Sequence, residues 1–489
     1  MFKMSMVLGI VASVTAVTHA ADVERLIVRQ QWPWSTDVKV ECELSGVSPE
    51  APVDLDIKVF NGNDEVPAAR LKDAISGERY GIASGGVKTF YIDPLKVFGT
   101  SAETVPDFKV KVSLAESTLQ NSQDVLYRIL DLESNPVTYK DVRRADFYNG
   151  KYGDFVTDFS EIGKCVGSDD FTTSLGDVLI WTGVTNNPIY KTTKLVLRKI
   201  KANEQFFYMG ADASADGKIP AQQSMSSSEK FRVKVSFTND YWIGVFEVTE
   251  KQYALLTGVD ASSLSGEAAC KPCVGIKYQD MRGDPSLWEK WPADIHEVTE
   301  GTILETIRRR LPGMIVDLPT EAQWEYASRA GTDTQLYCGR QIGGGATGHK
   351  NASGAMAWNS DFTPLAEDGK RYVMAVGQLL PNAYGLYDTL GNAAELVRDI
   401  FDPEKPAPDS SGPTGPQPLT ADVEEPMGWT DGAAAALEGN GCKGMYRGGC
   451  CSRAYTFSHS ASRREWADLS KSAGAGSSYS GFRLWVKGE

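Results

Sequence analysis

The stretch from Asp317 to Gly331 constrains this chain more than any other. Asp317-Leu-Pro-Thr320 runs into Glu321-Ala-Gln-Trp-Glu-Tyr-Ala-Ser-Arg-Ala330 and then Gly331. Thr320 and Gln323 have the Thr-x-x-Gln spacing of a capping box, in which each side chain satisfies a backbone N–H that a helix start leaves without a partner. Gly331 fits the stop, since helices commonly end on a left-handed residue. The spacing predicts a helix over 321–330 with Trp324 and Ala327 on its core face. Two more helices are expected, at Glu250–Thr257 behind Thr249 and at Gly301–Arg310, whose three terminal arginines suit the negative end of a helix. Around them lie strand-like runs at Val196–Ile200, Phe206–Met209 and Phe231–Phe237, many Gly and Trp residues, and the Pro/Ser/Gly-rich loop Asp402–Pro418. Residues 194–489 thus read as one loop-rich α+β domain.

The preceding sequence has a different period. Val23–Arg29, Val38–Leu44, Val53–Phe60, Thr89–Ile92 and Phe108–Leu114 are short, partly alternating runs divided by turn clusters such as Asn61-Gly-Asn-Asp64 and Ser84-Gly-Gly86. That pattern predicts an all-β sandwich of immunoglobulin-like type over 21–135, serving adhesion, spacing or packing on its neighbour. Residues 136–193 read as a connector that packs on the C-terminal domain. Residues 1–20 have Lys3, the apolar run Met6–Val17 and the small-residue site Thr18-His19-Ala20, the make-up of a secretory signal peptide. The expected destination is the periplasm or the outside, with no membrane span in the mature chain.

A net charge of −14 argues against nucleic acid or an anionic membrane as partner. Eight cysteines in an exported chain predict disulfides. Cys270-Lys-Pro-Cys273 stands without a second pair, so it reads as a short-loop disulfide or as two cysteines bonded elsewhere, and not as zinc ligands. His296, His349 and His459 are too dispersed for a His-rich iron centre. The glycines of 343–348 lack the Gly-Lys-Ser/Thr ending of a phosphate loop.

Several segments then occur in a telling order: Phe207-Tyr-Met-Gly210, Tyr241-Trp-Ile-Gly-Val-Phe-Glu-Val-Thr-Glu-Lys-Gln-Tyr253, Leu318-Pro-Thr-Glu-Ala-Gln-Trp-Glu-Tyr-Ala327, Pro381-Asn-Ala-Tyr-Gly-Leu-Tyr-Asp-Thr-Leu-Gly-Asn-Ala-Ala-Glu395, and finally Arg447-Gly-Gly449 with Gly481-Phe-Arg-Leu484. In this order they resemble the formylglycine-generating-enzyme (sulfatase-modifying factor) superfamily over the C-terminal part of the chain. The resemblance implies a fold distantly like C-type lectins. It also implies enzymes that oxidise a sulfatase cysteine with oxygen and a copper ion held by two cysteines, and a structural calcium in many members. Asn392 and Glu395 fall on the family's calcium-loop positions. Their oxygens are hard ligands that suit Ca²⁺; equally, Asn392 can cap a turn and Glu395 form an ion pair. Ala394 and Leu396 stand where the family often has tryptophans.

In the family's register Ser458 takes a catalytic cysteine's position and His459 that of an arginine, while Cys450 and Cys451 replace a Ser-Trp pair. Copper(I) prefers thiolates, so Cys450, Cys451 and Ser458 are the candidate catalytic residues. At the start of a strand the two cysteines would point to opposite faces, which makes them separate disulfide partners, with Cys442 and Cys338 as candidates. A cleft lined by Tyr446, Arg447, His459, Arg463 and Trp466 is the expected binding site. Three functions follow: a sulfatase-modifying-factor-like protein with altered or lost cysteine oxidase chemistry, a non-catalytic module for a protein, peptide or glycan ligand, or a copper/oxygen-dependent oxidase with displaced cysteines.

Overall fold

The computed structural model describes residues 21–31, 35–71, 74–99, 107–119, 121–210, 232–283, 298–340, 347–401, 423–424, 443–454, 463–468 and 479–488. The chain divides into two compact units, one of residues 1–126 with 142–154 and one of 127–141 with 155–489.

The first unit contains two antiparallel sheets. One has the strand order Asp22–Gln30, Val38–Ser45, Gly86–Ile92, Ile75–Gly77; the other is Asp64–Glu65, Val53–Asn61, Phe108–Glu116. Alternate residues of both sheets form one apolar core, among them Val38, Val40, Cys42, Val59, Phe90, Ile92 and Phe108. Burying these faces supplies the driving force. The alternation read at Val53–Val59 breaks at Asp54, which is buried. Its carboxylate is satisfied by Gly81 N–H (2.8 Å) and by Thr118 N–H (2.9 Å) and Oγ1 (3.0 Å), as a buried carboxylate requires.

The second unit is mixed α and β. Its largest sheet orders Val316–Asp317, Trp485–Lys487, Tyr241–Gly244, Lys194–Ile200, Val125–Asp131 and Thr138–Arg143. The last two strands lie at the end of the expected sandwich and in the expected connector, yet they extend this sheet. Val178–Trp181, strand-like by composition, forms only a bridge from Ile180 to Val156. A four-stranded sheet orders Arg463–Asp468, Lys443–Arg447, Ala394–Phe401 and Ser480–Phe482, and a three-stranded one has Phe206–Gly210 at its edge, then Arg232–Ser236 and Val423–Glu424.

The helix at Glu321–Arg329 has the expected capping box, with Gln323 N–H donating to Thr320 Oγ1 at 3.1 Å and Thr320 N–H to Gln323 Oε1 at 2.9 Å. Ala330 itself takes the left-handed cap, one residue before Gly331. The Glu250–Thr257 helix repeats the box with Thr249 and Gln252, and the third helix begins at Ile303 behind Thr302 rather than at Gly301. Among the described residues, no helix is long and apolar enough to cross a membrane.

Candidate functional site

The capped helix carries Trp324 and Glu325 into the interior, and the site assembles around them. Trp324 Nε1 donates to Glu395 Oε2 at 2.8 Å. Arg483 binds the same carboxylate through Nε (2.8 Å) and Nη2 (2.7 Å) and gives its remaining N–H groups to the carbonyls of Gly244, Val245 and Tyr387. Glu325 pairs with Arg329 at 2.6 Å and also with Arg447, which reaches Glu321 at 3.3 Å. Burial pushes Glu325 up, but the Arg329 and Arg447 guanidiniums outweigh it and hold the carboxyl below its ordinary range.

The Tyr387–Glu395 segment forms the second part. Asn392 has a left-handed backbone (φ 55°). Its Oδ1 accepts from Met374 N–H at 2.8 Å, and its Nδ2 donates to Glu247 Oε2 at 2.8 Å. Glu247 also accepts from Ala393 N–H at 2.8 Å. Burial raises Glu247 well above the usual carboxylate range, with the Asp388 and Glu395 charges adding to it. Burial likewise pushes Asp388 up to about 6. Asp388 Oδ2 accepts from Gly377 N–H at 2.6 Å, while Oδ1 is buried without a hydrogen-bond partner.

These contacts bear on calcium. Asn392 spends its side-chain oxygen on backbone and works as a turn clamp. Glu395 meets a guanidinium and an indole N–H. The two side chains expected to hold Ca²⁺ together therefore do not fit that role as a pair. Asp388 Oδ1 is a buried carboxylate oxygen left without a partner, one hard-oxygen ligand of the kind Ca²⁺ takes. Among the described residues, no group of three or more His, Cys, Asp or Glu side chains is arranged around one metal position.

Cys450 and Cys451 are not on a strand. The strand ends at Arg447, Gly448 and Gly449 both take positive φ, and Arg453 N–H donates to Cys450 O at 3.0 Å, closing a turn. At Gly448 a Cβ would sit 2.8 Å from Thr389 O, so a side chain there has no room. Cys450 and Cys451 are therefore not set on opposite faces of a strand. Cys451 packs with Val373 and Ala393, and burial pushes its thiol up. Cys450 Sγ lies 3.3 Å from Ser452 Oγ. The expected disulfides are also absent among the described residues: Cys42, Cys165, Cys270, Cys273, Cys338, Cys450 and Cys451 are all free thiols, and Cys442 lies outside those residues.

Tyr446 is buried, and Arg447 is locked in the ion pairs above rather than exposed to a ligand. Ser458 and His459 lie outside the described residues. Arg463 and Trp466 belong to a strand paired antiparallel with Lys443–Arg447, where Arg463 lies opposite Arg447. Sequence reasoning passed over Glu247, Asp388 and Arg483 as site residues, although all three sit inside the quoted segments. Their signal was an ionisable residue within an otherwise apolar run.

The family model of the sulfatase-modifying factor enzyme 1-like domain matches residues 205–487, and the chain belongs to this family. The formylglycine-generating enzyme of Bos taurus is 37% identical over 101 residues, 20% of this chain and 26% of that protein. The enzyme of that name from Streptomyces coelicolor is 37% identical over 103 residues, 20% of this chain and 31% of that protein. The chaperone protein LppX of Paenibacillus barcinonensis is 26% identical over 184 residues, 35% of this chain and 66% of its own length. The matches thus span only about a quarter to a third of the two enzymes. PvdO from Pseudomonas aeruginosa resembles the structure with a TM-score of 0.38 at 21% identity, covering 60% of this chain and 94% of that one.

Proposed function

We propose that this chain is an exported sulfatase-modifying-factor-like protein whose domain binds a peptide or glycan and does not run the family's cysteine oxidation. One observation carries the reading. Cys451 lies in an apolar cluster with its thiol pushed up, whereas a copper ligand or nucleophile needs a thiolate in an accessible setting. In this reading residues 1–20 direct export, the N-terminal sheets form an immunoglobulin-like spacer, and the C-terminal unit is a lectin-like scaffold. A structural calcium would be held by Asp388 rather than by Asn392, and its role would be to neutralise the buried carboxylates.

Oxygen uptake tests the reading. The purified protein, loaded with copper and given a Cys-x-Pro-x-Arg peptide, should consume no oxygen above a copper-only control. Steady uptake with loss of the peptide thiol would overturn it. The second reading, oxidation by displaced cysteines, draws support from Cys450 and Cys451 being unbridged and adjacent in a turn. It predicts that such uptake disappears in Cys450→Ser.

A further inference from the structure

A cavity of about 630 Å³ opens in the second unit and shares Arg329 with the ion pairs described above. Its volume is in the range of small-ligand pockets. Three segments wall it: the exposed edge strand Phe206–Gly210, the turn after the Glu321–Arg329 helix, and residues 172–175.

The walls are fixed by contacts that need particular residues. Gly331 has φ +79°, and a Cβ there would fall 2.6 Å from Thr173 Oγ1, so the two segments meet at backbone distance. Gly331 O accepts from Ser174 N–H (3.0 Å) and Oγ (2.7 Å). Gly210 is held by Glu325, which accepts from its N–H at 2.9 Å, and by Arg329 Nη2, which donates to its carbonyl at 3.0 Å. The cation in the lining, Arg329, is thereby committed to Glu325 and to backbone.

Two features define the ligand chemistry. First, Phe206 and Tyr208 are 56% and 44% exposed, although large aromatic side chains are ordinarily covered. Their rings meet edge to face with centroids 6.2 Å apart, and Lys234 Nζ sits 4.6 Å from the Phe206 centroid. Second, the lining is rich in hydroxyl side chains. Ser174, Thr332 and Thr334 each donate their proton to a backbone carbonyl, of Gly331, Arg329 and Leu336 respectively. Those hydroxyl oxygens can still accept from a ligand, and with Arg329 committed the described lining offers an anion no cation. A ligand that matches has flat C–H-rich faces for the rings, several O–H donors for the hydroxyl oxygens, and no negative charge.

We infer that this cavity is a binding site for a neutral oligosaccharide stacked on Phe206 and Tyr208. The inference rests on the binding-module reading, which it sharpens to one site and one ligand class. The test is calorimetric titration of the full chain with cellohexaose, xylohexaose, mannohexaose and chitohexaose. At least one should bind, and Phe206→Ala and Tyr208→Ala should each weaken it by about tenfold or more. Both residues are exposed, so the melting temperature should stay within experimental error. Tyr372→Ala, which removes an exposed aromatic outside the cavity, should leave binding unchanged. Undiminished binding in both cavity variants would overturn the site. Binding of none of the sugars, with retention of the Cys-x-Pro-x-Arg peptide, would overturn the ligand class and leave the binding-module reading standing. Oxygen uptake judges that reading separately.

Discussion

Arg483 and Glu395 are joined by two parallel N–H···O bonds of 2.8 and 2.7 Å, with both side chains buried. The pair ties Arg483, just past the strand Ser480–Phe482, to the neighbouring strand Ala394–Phe401 of the four-stranded sheet. Taking two charges out of water is costly, so the pair specifies an arrangement more than it adds net stability. Removing one partner is another matter. Arg483→Met should destabilise the second unit by ~3–5 kcal/mol, because Glu395 is left buried and uncompensated. Urea unfolding monitored by tryptophan fluorescence measures it, and a loss below 1 kcal/mol would refute the assignment.

Glu325 gives the protein an acid limb. Its folded-state carboxyl is depressed below the ordinary 4.5. Its contribution is therefore present above that value and is lost as pH falls through the depressed one. Glu325→Gln should melt earlier at neutral pH, since Arg329 and Arg447 lose their counter-charge. Its melting temperature should also change less than the wild type's below pH 4.5. Parallel pH profiles for the two proteins would contradict this.

Thiol labelling separates packing from bridging. Cys165 is the one exposed cysteine among the seven described. A thiol reagent on the native protein should modify Cys165 quickly and reach Cys450 and Cys451 only in denaturant. Mass spectrometry of unreduced peptides should show no bridge from Cys338 to Cys450 or Cys451, and finding one would revise the turn.

Calcium is tested by heat. Added Ca²⁺ should raise the melting temperature and a chelator should lower it, with the response lost in Asp388→Asn. Binding to the folded state alone raises stability by mass action. A wild-type protein indifferent to both reagents would remove calcium from the account.

The helix cap offers a smaller effect. Thr320→Ala removes the acceptor of Gln323 N–H and should cost about 1 kcal/mol.

Much of the fold was legible along the chain. The helix at 321–329 followed from its cap, and the strands of the first unit from short-range alternation, because capping and side-chain period are local properties. The ordered segments led to the family. Asp54 was not legible as a core residue: its burial depends on donors from Gly81 and Thr118, far away in sequence. The strands Val125–Asp131 and Thr138–Arg143 joined a sheet whose next member begins at Lys194, a partnership no local pattern carries.

The sequence by itself determined the family, the main helices and the presence of thiols near the Gly448-Gly449 turn. Tertiary structure decided what those residues do. It placed Arg447 in an ion pair rather than a cleft, turned Asn392 toward Met374 and Glu247, and put Cys451 among apolar neighbours. It also left Phe206 and Tyr208 exposed beside a cavity whose other walls come from residues 172–175 and 331–334. The physical reason is common to all of these. Burial and pairing set the charge and availability of a side chain, and both depend on neighbours brought from distant parts of the chain.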